Sequence, residues 1–278
     1  MWSAMHIVWS DHGRPSCSAI LIKFCDSFQH GFSTARNLLL RYGFWRLPCQ
    51  GTGMKNLRER DESPRKVPTH EITYCRLRDM ILFGQLAPGQ AVTIQGLTAM
   101  LNAGMTPVRE AIRKLTAEGA LELQGNRRVS VPHLTASQLD EIAFARLMIE
   151  PRLAHMAADR LEEKDINELA QIDTEIDQAI VTGDVQRYLL GNYRFHVTLY
   201  ERADAPILLS MVHSLWLRFG PSLRVVCGRY GTSNLPDRHG DALAAMRSGD
   251  AEALATALKE DIQQGIDQVR LSLAARHI

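Results

Sequence analysis

The segment TPVREAIRKLTAEGALEL, residues 106–123, constrains the fold of this chain more than any other stretch. Thr106 reads as a helix N-cap and Pro107 as the first helical position, where a missing N–H is no loss. Val108, Ile112 and Leu115 recur at spacings of four and three, which places them on one buried face. Arg109, Arg113 and Lys114 fall off that face. Gly119 stands where a helix closes through a left-handed residue at little cost. A short helix with a cationic N-terminal half, preceded by another short helix and a turn, has the build of a reader of the DNA major groove. On this segment alone, an amphipathic helix with solvated charges is the alternative.

The flanks extend the pattern. Residues 71–83 predict a first helix, with Ile72, Tyr74, Leu77, Ile81 and Leu82 as apolar positions and Gly84 as the stop. Pro88-Gly89 marks a turn, Thr93 caps a second helix over 94–101, and Asn102-Ala103-Gly104 breaks it. Beyond Gly119, residues 120–123 and 129–131 alternate as strands around a turn carrying Arg127 and Arg128. Three helices and a two-stranded wing over 66–133 make a winged helix-turn-helix. From Ala136 onward the pattern is helical, with segments at 136–160, 164–182, 185–203, 205–226, 235–248 and 251–275. The expected fold is mainly α: the winged head followed, over 134–278, by an all-α bundle of about six helices.

Charge divides the chain in the same way. Residues 54–133 carry twelve Lys/Arg against eight Asp/Glu, whereas 134–278 carry fifteen against twenty-one, so an anion-binding module is joined to an acidic one. No run of about 18 apolar residues is present, so no membrane partner is expected. Cys17, Cys25, Cys49, Cys75 and Cys227 show no close pairing and read as reduced thiols of a cytoplasmic protein. Residues 1–53 hold three of the four tryptophans and no sustained period, and at Met54 the composition changes to a charged arm, 54–65. The expectation is that translation begins at Met54 and that 1–53 is a gene-model extension; a poorly ordered native extension is the alternative.

The run from LAPG through TPVREAIRKLTAEGALEL to the Asn-Arg wing resembles the GntR-type bacterial transcription regulators. The resemblance implies that Thr106 and Arg109 lie on DNA, with Arg127 and Arg128 at the wing and Arg113 a further candidate. It also exposes two departures. Gly104-Met105 stand where the family usually has a hydroxyl residue and arginine, and Ile94-Gln95 where it often has Glu-Arg. Gln95 and Met105 therefore occupy DNA-facing positions without a guanidinium, which predicts an operator unlike the family consensus, or weaker binding, since a good bidentate contact contributes about 1–3 kcal/mol of discrimination.

The helical part is similar to the FCD ligand-binding domain of the FadR subfamily, through RLMIEPRLAHMAA, NYRFHVTLY and LKEDI. Spacing by itself shows only that Asn192 and His196, four apart, share a helix face. The resemblance implies a divalent-metal set falling on Asn192, His196, His239 and Asp261, in which two ligand types are changed. Such an N2O2 set suits zinc, manganese or nickel with positions left open for a carboxylate effector; the changes equally allow a pocket that binds its effector directly. Arg146 and Glu150 either line that cavity or form an intrahelical pair, and His213 reads as core. The function expected is a ligand-responsive, DNA-binding regulator, a repressor by family habit. It would act as a homodimer on a pseudo-palindromic double-stranded operator and respond to a small organic acid. A metal-dependent enzyme and a constitutive DNA binder with a degenerate effector site are the alternatives.

Overall fold

A computed structural model describes residues 69–125, 128–230 and 236–275. The expectations for 1–53, for the arm at 54–65 and for Arg127 lie outside these residues. The head consists of α1 (Thr69–Leu82), β1 (Ala91–Thr93), α2 (Ile94–Leu101), α3 (Met105–Ala117), β2 (Glu122–Gln124) and β3 (Arg128–Ser130). Thr93 starts α2 because its hydroxyl accepts the Gly96 N–H at 3.0 Å, satisfying one orphan donor of the first turn. Asn102 ends α2 in a left-handed conformation, φ 47°, and Gly119 does the same just beyond α3 at φ 74°.

Two local expectations are corrected. The N-cap of α3 is Gly104, with no side-chain cap, so Thr106 and Pro107 lie inside the first turn. Pro107 is tolerated there because the first amide that needs an intrahelical carbonyl is Val108, which donates to Gly104 O at 3.2 Å. The two strands of the wing, β2 and β3, are joined by β1 in the order β1-β3-β2, with Val92 and Leu123 both opposite Val129. Arg128 is placed within β3, opposite Gln124 and Thr93, rather than in the turn.

The second part runs α4 (Ala136–Ala158), α5 (Glu163–Thr182), α6 (Val185–Glu201), α7 (Pro206–Tyr230), α8 (Arg238–Ser248) and α9 (Ala251–Ala274). Its boundaries are chemical. Thr135 and Gln138 form a capping box at α4, while Asp184, Asp237 and Asp250 cap α6, α8 and α9 with their carboxylates. Gly183 and Gly249 supply the left-handed ends of α5 and α8. Two helices carry an internal proline, Pro151 in α4 and Pro221 in α7. Among the described residues, no helix is long and apolar enough to cross a membrane.

The two parts share apolar residues. Leu82 and Phe83, at the end of α1, are buried in the core of the helical part, while Leu217 of α7 is buried in the core of the head. The α1–α7 contact is close: a Cβ on Gly220 would lie 3.0 Å from the Leu82 carbonyl oxygen. Cys227 is a buried free thiol that burial pushes up to about 12. Cys75 is disulfide-bonded, against the expectation of five reduced thiols.

His213 is half-buried, its Nδ1 2.9 Å from the Tyr193 hydroxyl. Burial, with a smaller contribution from Arg78, holds its imidazole at about 4 against 6.5 in the unfolded chain. Above pH 6.5 the ring is neutral in both states. As pH falls toward 4, only the unfolded chain takes up the proton, so stability is lost across that window, by on the order of 2 kcal/mol. Denaturant unfolding at pH 7 and pH 4.5 should show a smaller loss for His213→Gln than for the native chain; an equal loss would contradict the assignment.

Candidate metal centre and nucleic-acid face

On α3, Val108, Ala111, Ile112 and Leu115 are buried against α1 and α2, which turns Met105, Thr106, Arg109 and Arg113 outward. Gln95, on the first turn of α2, is exposed as well. Arg113 pairs with Glu110 at 2.6 Å, but the two side chains are 80% and 51% exposed. A pair so wetted contributes little and leaves the guanidinium free to exchange partners. Lys114, also exposed, has its ammonium 3.8 Å over the Tyr74 ring, and Tyr74 in turn donates to the Glu118 carboxylate. The exposed cations of α3 on the side of Met105 and Thr106 are thus Arg109 and Arg113, with Lys114 drawn onto the Tyr74 ring.

The helical part buries a polar cluster between α4, α6 and α7. Arg146 and Glu150, four apart on α4, are both sealed from solvent and joined through Nε and Nη2, the latter 3.2 Å from Oε2. The guanidinium stacks over Trp216 at 4.3 Å and Phe219 at 4.6 Å. Glu150 Oε2 also accepts from the Tyr200 hydroxyl at 2.9 Å and from Trp216 Nε1 at 3.3 Å. Both polar groups of the pair are therefore engaged within the protein.

This cluster dictates how His196 is protonated. Tyr200 has one proton and gives it to Glu150, a pure acceptor. Its oxygen, 2.9 Å from His196 Nδ1, can then only accept, so Nδ1 carries the ring hydrogen. In the neutral ring Nε2 is a bare lone pair, and it is buried without a hydrogen-bond partner. His239 repeats the arrangement. Its Nδ1 faces Asp173 Oδ1 at 3.3 Å, and its Nε2 is likewise orphaned. Both lone pairs turn toward Asp261, His196 Nε2 lying 3.0 Å from Oδ2 off hydrogen-bonding geometry and His239 Nε2 3.8 Å from Oδ1.

The ligand atoms of His196, His239 and Asp261 all fall within 4.8 Å of one another. Two imidazole lone pairs and a carboxylate converging in the interior satisfy each other poorly and satisfy a divalent cation well, since ligands at about 2.1 Å from a metal lie roughly 3–4 Å apart. Burial opposes ionisation of Asp261, but when the imidazoles are protonated instead, His196, then His239 and Arg146, outweigh it and hold the carboxyl down at about 2. Burial likewise opposes a charged His239, yet Asp173, Asp261 and Asp237 raise it. Asn192, buried one turn before His196, brings a carboxamide to the same helix face. Sequence reasoning missed Asp173 and Tyr200. Tyr200 had a signal, four residues after His196 in NYRFHVTLY; Asp173, on another helix, had none.

Comparisons with known proteins identify both parts of the chain. The gntR family of bacterial regulatory proteins matches residues 69–131, and the FCD domain matches residues 141–264. The HTH-type transcriptional regulator McbR of Escherichia coli K12 is 31% identical over 193 residues, 68% of this chain and 87% of McbR. The solved structure of E. coli McbR/YncC superposes with a TM-score of 0.70 over 74% of this chain and 99% of that one, at 28% identity. The E. coli K12 transcriptional repressor RspR is 24% identical, covering 73% of this chain and 90% of its own. A regulator structure from Rhodococcus sp. RHA1, with TM-score 0.60 over 72% of this chain and 96% of that one at 21% identity, shares the fold. These relatives are regulators rather than enzymes. With its winged head and its FCD domain, the chain belongs to the GntR family of DNA-binding transcriptional regulators.

Proposed function

We propose that this regulator is a ligand-responsive repressor whose operator binding is set by a small carboxylate held on a divalent metal. The observation that carries the reading is the pair of buried, partnerless Nε2 atoms of His196 and His239 turned toward Asp261. With Asn192 they offer an N2O2 set suited to zinc, manganese or nickel, which would supply a Lewis-acidic anchor with positions left for an anion. In this reading Arg146 does not meet the effector, because its guanidinium is committed to Glu150, Trp216 and Phe219. Arg146 and Glu150 instead position His196 through Tyr200.

The head, 66–133, would read the operator through Thr106, Arg109 and Arg113, with Gln95 and Met105 altering the preferred bases and Arg127 and Arg128 at the wing. The sensing part, 134–278, would supply a two-fold partner surface, so that a cytoplasmic homodimer meets a pseudo-palindromic site. Phe144 and Met148 on α4, and Ile207 and Met211 on α7, are large apolar side chains left exposed at four-residue spacing on two helices that pack together. A second copy of the chain would cover them.

The DNA reading is tested with the region upstream of the protein's own gene. Arg109→Ala should weaken selective binding by about 1–3 kcal/mol, roughly 5- to 150-fold. Selective binding that is indifferent to this change would refute the assignment of α3. The metal reading is tested by zinc titration calorimetry of the full chain. Asp173→Asn and Tyr200→Phe should each lower zinc affinity by about 10–100-fold, because each removes the group that fixes a ligand's tautomer. Zinc binding that survives His196→Ala at native affinity would place the metal elsewhere.

A further inference from the structure

We infer that occupancy of the metal centre is transmitted to the recognition helix by five consecutive residues of α7, Trp216 to Gly220. The inference deepens the preceding reading and rests on it. Consecutive residues of a helix point to different sides, and here those sides belong to different parts of the protein. Trp216 and Phe219, three apart, face the metal-centre cluster. The Trp216 indole donates to Glu150 and lies against the His196 ring, with centroids 5.2 Å apart, and both aromatic rings carry the Arg146 guanidinium.

The residues between and beyond them face the head. Leu217 is buried in the head's core with Leu97, Val108 and Leu115, packed beneath the recognition helix. Arg218 Nε donates to the carbonyl of Glu118 at 3.1 Å, and Glu118 is the C-cap of α3. That carbonyl is one of the orphan acceptors at a helix end, so a residue of the sensing part closes the recognition helix. Gly220 lets α7 approach the end of α1 at backbone distance. The separation between Glu150 and Glu118 is therefore spanned by a single helical turn, not by a chain of loosely packed side chains.

The same turn is built to move. Pro221 has no N–H for the Leu217 carbonyl, so the helix lacks a rung at the point where the two sets of contacts diverge. His196 and Asp261, if drawn together in holding a cation, would act on Tyr200 and Glu150, hence on Trp216. Rotation of Trp216 carries Arg218 and Leu217 with it, because all three share one backbone turn. Coupling of this kind needs a mechanical element biased at both ends, and α7 is in contact with both.

The experiment is hydrogen exchange of the full chain with and without saturating zinc ion, read on peptides covering 115–121, alongside zinc calorimetry. Zinc should slow exchange there about fivefold or more in the native chain. Arg218→Ala, a change remote from the metal centre, should abolish that response while zinc affinity is kept; Trp216→Phe should abolish it at saturating zinc. A response that persists in Arg218→Ala overturns the inference. Zinc binding by the native chain with no response at 115–121 also overturns it and leaves the metal reading standing. Failure of the native chain to bind zinc overturns both.

Discussion

A carboxylate without any solvent contact, Glu150, sets the terms for the interior of the sensing part. An isolated buried charge is too expensive to keep, so it must be met by an opposite charge and by donors for its remaining lone pairs. Arg146 supplies the charge from the same helix, Tyr200 reaches it from α6 and Trp216 from α7. Three helices are thereby fixed in mutual orientation by one anion. The arrangement also decides which nitrogen of His196 carries a hydrogen.

The two histidines proposed as ligands are each oriented by a group outside the proposed set. His196 is oriented by a phenol backed by a carboxylate, His239 by a carboxylate directly, and Phe195 stacks on the His239 ring with centroids 4.1 Å apart. Each ring is held at the nitrogen that would not touch a metal. The two Nε2 atoms lack hydrogen-bond partners, which distinguishes the cluster from the half-buried His213, whose Nδ1 meets the Tyr193 hydroxyl.

Much of the architecture was legible because it is written in short-range chemistry. The Thr93 cap, the left-handed Gly119 and the Gly-Asp pairs at 183–184 and 249–250 are local signals, and the helix boundaries they mark follow to within a few residues. The α3 start was misplaced because a hydroxyl followed by proline imitates a cap, whereas a glycine cap leaves no side-chain signature. Strand β1 escaped notice because three residues are too few to show alternation. In the site, the four-residue spacing of Asn192 and His196 was visible, but Asp173 and Trp216 reach it from other helices, and only the packed bundle brings them there.

Leu217 and Arg218 have a consequence for modularity. A winged head followed by a helical bundle invites the view of two interchangeable cassettes, cut somewhere near residue 133. In this molecule, however, the head's core contains a leucine encoded some eighty positions downstream, roughly a Leu side chain's worth of void if it were left behind. The head would also part with the guanidinium that closes its recognition helix. A head transplanted onto a foreign sensing domain would therefore fold around a defect unless the recipient's own helix offered an apolar residue and a cation at adjacent positions. Descent by recombination within such a family is then restricted to donors whose corresponding helical turn already carries that pair.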